Sequence, residues 1–177
     1  MNLEYLFTAV CSFAPLLAGA EPGPFQSSKS SYQGSIRLHG PIENVFPLFT
    51  PEGEKSWAEG WNPDYVNPPN GDTQTGLVFR TAHSGPLLWI VSDFDVQQHQ
   101  ISYVIVGKDT VRLLKIKCDV QGDETVAALT HTHISLSEAG NRLVEQRAPE
   151  YLGAEITQWQ DEINYFLETG MQFRTKH

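Results

Sequence analysis

The chain has 177 residues, of which 40% are hydrophobic and 11% aromatic, enough to bury the core of one domain and too many for a disordered protein. Its formal net charge of -9, with Lys and Arg dispersed along the sequence, disfavours nucleic acid and acidic lipid headgroups as partners. The two cysteines, Cys11 and Cys118, form no CxxC pair, so the sequence predicts neither a disulfide framework nor a zinc site.

The first 20 residues resemble an export signal in part. An apolar run from Tyr5 to Leu17 is followed by small residues ending at Ala20, which is typical of a cleavage site. No Lys or Arg precedes the run, unlike the start of an ordinary signal peptide. Two alternatives therefore stay open: export after cleavage near Ala20, or a short N-terminal helix in a cytoplasmic protein. Because the run is too short to cross a bilayer, we expect no integral membrane segment in the mature domain.

Residues 21–31 are rich in Pro, Gly and Ser and are predicted to form an extended linker. The globular domain is predicted to span 32–177 and to begin with a strand from Tyr32 to His39, in which apolar and polar residues alternate. Pro41 suits the first turn of a short helix. Thr50 is a candidate N-cap for a second short helix that runs to about Ala58.

An irregular loop is predicted from Glu59 to Thr75, because this segment is rich in Pro, Asn and Gly and has no clean period. Strand patterns joined by short turns follow, and sequence neighbours should therefore pair in an antiparallel meander. The five predicted strands are Gly76–Ala82, Pro86–Asp95, Gln100–Val106, Thr110–Gln121 and Glu124–Leu136. In the fourth, Leu114, Ile116, Cys118 and Val120 are predicted to face inward.

The chain closes with a predicted amphipathic helix from about Pro149 that ends at Gly170. Its apolar residues recur at steps of three and four, so they lie on one face that must be buried. They are Leu152, Ile156, Trp159, Ile163, Phe166 and Leu167. The polar face, which includes Glu155, Gln158 and Glu162, is expected to face solvent. A sheet gripped lengthwise by such a helix can enclose a cavity, which favours a binder of small molecules.

This order of elements resembles the START-like helix-grip superfamily, which includes the birch-pollen-allergen fold, lipid-transfer domains and polyketide cyclase/dehydrase proteins. The resemblance rests on Val45–Glu54, Trp57, Gly60–Pro63 and Gly76–Thr81, and is strongest to a bacterial subgroup of mostly unassigned function. It implies an α+β fold in which a curved antiparallel sheet of about six or seven strands wraps around the C-terminal helix. It also implies a cavity for a hydrophobic or amphipathic molecule, lipid-like or polyketide-like, but it supplies no catalytic motif.

Aromatic side chains are the candidates to line such a cavity, because they offer large apolar area and, in Tyr and Trp, a polar group that can orient a ligand. The candidates are Trp57, Trp61, Phe79, Trp89, Tyr103 and Trp159. For each of them the alternative is ordinary packing in the core.

Three functions remain open. The leading hypothesis is binding of the hydrophobic small molecule. The second is a cyclase or dehydratase-type lyase in which Glu54 or Tyr103 moves a proton, although surface solvation is the alternative for Glu54. The third is a protein-interaction module that uses the loop Asn62–Asn70. The motifs of hydrolases, kinases and dehydrogenases are absent from the sequence, and no cofactor is predicted.

His131 and His133 share one face of the last predicted strand, as a pair of metal ligands or an acid and a base would. The opposite face carries Val126, Ala128, Ile134 and Leu136 and is the more apolar one. The two histidines are therefore expected to face solvent, and no metal site is predicted.

Overall fold

The computed structural model describes residues 24–82, 85–146 and 149–174. The N-terminal segment 1–20, for which two alternatives were left open, and Cys11 lie outside these ranges. In chain order the elements are β1 (Lys29–Leu38), α1 (Ile42–Val45), a 3-10 turn (Phe46–Phe49), α2 (Pro51–Glu54), β2 (Asp64–Asn67), β3 (Val78–Thr81), β4 (Leu87–Asp95), β5 (Gln100–Val106), β6 (Thr110–Gln121), β7 (Glu124–Ser135), α3 (Glu138–Gln146) and α4 (Pro149–Thr169).

The strands form one antiparallel sheet in the order β1-β7-β6-β5-β4-β3-β2. From β2 to β7 each strand pairs with its sequence neighbours, as the short turns predicted. The first strand pairs with the last, so that Lys29 lies opposite Ile134 and Leu38 opposite Thr125. The α+β helix-grip architecture predicted from the sequence is confirmed.

Helix α4 lies beside β1 and covers its free edge. The backbone N–H of Arg37 donates to Gln160 Oε1, and the backbone N–H of His39 donates to Asn164 Oδ1, both at 2.9 Å. Asn164 Nδ2 in turn donates to the Arg37 carbonyl at 3.0 Å. Side chains of the helix thereby satisfy backbone groups that an edge strand would otherwise leave to water or to another chain.

The apolar stripe of α4 packs on the core, as its period predicted: Leu152 and Ile163 are 0% exposed, Ile156 is 3% exposed, and Trp159, Phe166 and Leu167 are half-buried against the core. Among the residues that the structure describes, no helix has the length and apolarity needed to span a membrane.

The predicted N-cap at Thr50 is present, since its Oγ1 accepts a hydrogen bond from the Gly53 N–H at 3.1 Å. A Cβ atom on Gly53 would lie 1.9 Å from the Pro47 carbonyl oxygen, so only glycine fits this close turn. The turn fixes α2, and with it the position of Glu54.

Four elements differ from the prediction. Helix α2 ends at Glu54 rather than near Ala58. Strand β1 begins at Lys29, within the predicted linker, because its polar first residues pair along β7. The predicted irregular loop contains β2, whose four residues are too few to show a period. Helix α3 was not predicted, because it is nine residues long and has few apolar residues, with only Gly140 and Val144 buried.

The expectation that His131 and His133 face solvent is wrong: they are 5% and 1% exposed. In the register of the sheet, His131 lies directly opposite Leu114 of β6. Directly paired residues share a face of an antiparallel sheet, so the histidines follow the buried face of β6. The number of apolar residues on each face of β7 alone pointed to the wrong side. On β6 itself, Val120 was predicted to face inward but is 65% exposed, because it lies beside the β6–β7 turn.

Candidate functional site

A cavity of about 720 Å³ lies between the sheet, the segment that follows α2, and α4. Each of these parts contributes a large ring to its wall: Trp57 and Trp61 from the segment after α2, Trp89 from β4, His131 from β7 and Trp159 from α4. The cavity thus lies where the helix-grip arrangement predicts one, between the sheet and the C-terminal helix.

All four tryptophans of the predicted set line this cavity. The rings of Trp57 and Trp159 meet edge to face with their centroids 5.9 Å apart, which links the α2 segment to α4. Trp61 meets Trp89 in the same way at 5.2 Å. Such edge-to-face contacts are the favoured geometry of aromatic pairs, and they hold the wall in a defined shape.

Three of the indole N–H groups are bound within the protein. Trp57 donates to the Leu48 carbonyl and Trp61 to the Pro51 carbonyl, both at 2.8 Å. Trp89 donates to Thr81 Oγ1 at 3.0 Å. These three rings therefore offer a ligand their apolar faces rather than their hydrogen-bond donors.

Phe79 and Tyr103 were predicted to line the cavity, but the structure places them behind its wall. Phe79 is 0% exposed and stacks on Trp89 at 5.6 Å, and the Tyr103 ring meets the edge of Trp89 at 5.6 Å. The Tyr103 hydroxyl donates to the Phe49 carbonyl at 2.7 Å. Both residues support Trp89, and neither belongs to the cavity lining.

Glu54 lines the cavity and is 7% exposed. Within the described residues its carboxyl group makes no hydrogen bond. Burial away from water raises its pKa well above the ordinary value, because desolvation disfavours the charged form. Glu54 is thus a carboxyl group that can hold or release a proton inside an apolar space.

His131 lines the same cavity, with its ring 5.6 Å from that of Trp159. Burial, assisted by the positive charge of Arg112, lowers the pKa of His131 to about 4, so the imidazole is neutral near neutral pH. Its Nε2 atom is buried and makes no hydrogen bond. The alternation in β7 singled out His131 but pointed to solvent, and its place in the cavity follows from the pairing with Leu114 of β6.

Further charged side chains complete the lining: Glu59, Glu155 and Glu162, with Arg112 from β6. Glu155 Oε2 is buried and makes no hydrogen bond, whereas Glu162 Oε1 accepts one from Gln158 at 2.7 Å. Burial raises the pKa of Glu162. The negative charges of Glu59 and Asp161 also raise this pKa, whereas the hydrogen bond from Gln158 lowers it. The guanidinium carbon of Arg112 lies 5.8 Å from the centre of the Trp89 ring.

The expectation that Glu155 and Glu162 face solvent is therefore wrong, because both are half-buried in the cavity wall, whereas Gln158 is exposed as expected, at the border of the cavity. Glu155 and Glu162 lie four residues before and three residues after Trp159, which places them on its side of the helix. Over the ranges that the structure describes, no group of three or more His, Cys, Asp or Glu could hold a metal ion.

No family model and no curated protein matches the sequence. Solved structures do match in fold. Ara h 8.0201 is 14% identical with a TM-score of 0.62, over 80% of this chain and 99% of that one. Norcoclaurine synthase from Thalictrum flavum, in complex with dopamine and hydroxybenzaldehyde, is 12% identical with a TM-score of 0.58, over 93% and 100% of the two chains. CalU16 from Micromonospora echinospora is 16% identical with a TM-score of 0.52, over 80% and 83%.

The chain is thus a helix-grip protein with a cavity between its sheet and its C-terminal helix. Its fold is START/Bet v 1-like, as the sequence predicted.

Proposed function

We propose that this protein binds a hydrophobic or amphipathic small molecule in the cavity between the sheet and α4. The observation that carries the proposal is the cavity itself, about 720 Å³ in volume and walled by four tryptophans. Burial of about 300 Å² of apolar ligand surface, at about 25 cal/mol per Å², contributes several kcal/mol before the costs of ordering are subtracted. Large rings that supply apolar surface, with polar groups between them that can orient a ligand, are usual features of a small-molecule site.

A blocked cavity tests the proposal. Ala154 is exposed and lines the cavity on α4, so Ala154→Trp should place an indole in the opening. Nile red, a neutral apolar dye, should bind the unaltered chain with enhanced fluorescence and bind Ala154→Trp at least about tenfold more weakly.

Thr157→Trp is the matched control, because Thr157 is exposed on the same helix and does not line the cavity. This variant should bind the dye as the unaltered chain does. Equal binding by all three proteins, or no binding by any of them, would contradict the proposal.

Proton-transfer catalysis in the same cavity, of the cyclase or dehydratase type, is the second candidate. One observation favours it: Glu54 is a buried carboxyl with a raised pKa that lines the cavity, which suits a general acid. The fold also accommodates an enzyme, norcoclaurine synthase. Tyr103, the other predicted proton carrier, is held by the Phe49 carbonyl outside the lining. The interaction role proposed for Asn62–Asn70 stays a prediction.

The two candidates are separated by Glu54→Gln, which keeps the shape of the side chain and removes its proton. If the protein is an enzyme, turnover of a substrate that binds the cavity should fall by at least about a hundredfold in this variant, while Nile red binding is retained. Unchanged turnover would remove Glu54 from any catalytic role.

A further inference from the structure

The charges of the cavity wall are divided between its two sides. The helical side, made of the α2 segment and α4, carries the four carboxyl groups of Glu54, Glu59, Glu155 and Glu162. The sheet side carries Arg112 on β6 and the neutral His131 on β7. Among the residues that the structure describes, a ligand in the cavity therefore meets four acidic groups on one side and the cation Arg112 on the other.

Three donors of the wall are already used within the protein, whereas two of its buried polar atoms have no hydrogen bond. The indole N–H groups of Trp57, Trp61 and Trp89 are bound within the protein. In contrast, Glu155 Oε2 and the His131 Nε2 atom are buried without a hydrogen bond. Glu54 also receives no side-chain hydrogen bond from any described residue. Buried polar groups left in this state cost free energy, and a ligand that supplies donors removes the cost.

We propose that the ligand is an amine, a bulky apolar body that carries a protonated nitrogen, bound with its N–H groups toward Glu54 and Glu155 and its body among the tryptophans. This inference rests on the proposed function, since it names the class of molecule that the same cavity takes. An ammonium group has only donors, which matches the carboxyl oxygens of Glu54 and Glu155. The faces of the indole rings attract cations as well. An anionic ligand would instead meet the carboxylates of the helical side.

The experiment compares three compounds with one ring system: naphthylmethylamine, naphthylmethanol and naphthoate. Each is titrated by calorimetry at about pH 7, where the amine is protonated. The full chain is compared with Glu155→Gln, which keeps the shape of the side chain and removes its charge. Glu145→Gln is the control, because it makes the same change of net charge at an exposed position on α3 outside the cavity.

The amine should bind at least about tenfold more tightly than the alcohol, and naphthoate more weakly than either. Glu155→Gln should reduce this preference by at least about fivefold while the affinity for the alcohol is kept. Glu145→Gln should change neither.

Equal affinities for the amine and the alcohol, tightest binding of naphthoate, or an unaltered preference in Glu155→Gln would overturn the amine proposal. If Nile red binding responds to Ala154→Trp in the same preparations, the proposed binding function stands in each of these cases. Absence of binding for all three compounds and for Nile red would overturn both.

Discussion

A neutral histidine in the cavity wall makes the stability of this fold depend on pH. The pKa of His131 is about 4 in the folded protein, because of burial and the nearby Arg112 charge, against about 6.5 in an unfolded chain. Between these two values the unfolded chain binds a proton that the folded protein does not. Acidification from about pH 6.5 to about pH 4 therefore favours unfolding, whereas above about pH 6.5 the residue adds no pH dependence.

Replacement of His131 by leucine should remove this part of the pH dependence. The unaltered chain should lose up to about 3 kcal/mol more of its unfolding free energy over this range than His131→Leu does. The raised pKa of Glu54 has the opposite sign, but it is common to both proteins and cancels in the difference. Denaturant unfolding of both proteins at several pH values measures the effect, and parallel curves would show that His131 is not held neutral.

Single residues of the site could be predicted only where both the residue type and its place in the predicted fold pointed to the cavity wall. The four tryptophans were found because large rings near a predicted loop, on a strand of the sheet or on the gripping helix are natural wall residues. Glu155 was assigned to solvent because the apolar stripe of α4 was treated as the only face that meets the rest of the protein. Around a hollow interior that assumption fails, since polar residues at the border of the stripe also point inward. The position of the Arg112 guanidinium over the Trp89 ring could not be predicted, because it depends on the packing of two strands.

Elements followed the sequence where their periods were long. Helix α4 and strand β6 have enough turns or alternations to define a buried face, and Ile156 and Ile116 are buried as predicted. Strand β2 has four residues and α3 has nine with few apolar ones, which is too little pattern to predict either element. On β7 both faces are of mixed polarity, and the pairing of His131 with Leu114 decides which one is buried. The buried face of β7 therefore depends on its register with β6, which the pattern of β7 alone does not define.

At the scale of the whole molecule, the order of elements determined the fold more firmly than any motif did. Short turns require sequence neighbours to pair, and one long amphipathic helix must then cover the sheet. The space left between them is the cavity to which we assign the binding function. The aromatic residues of its wall could be named from the sequence. The positions of the acidic residues and of His131 in the wall could be assigned only from the packed structure. Binding of a small molecule therefore requires the cavity, and preference for an amine requires that α4 place Glu155 in the cavity wall.

The most direct measurement is a crystal structure of the full chain grown with Nile red. The account predicts electron density for the dye between α4 and the sheet, in contact with Trp57 and Trp159, while Ile156 and Ile163 stay buried beneath it. Dye bound only on the outer surface, or a cavity filled by protein side chains, would contradict the central claim that this fold keeps its interior open for a ligand.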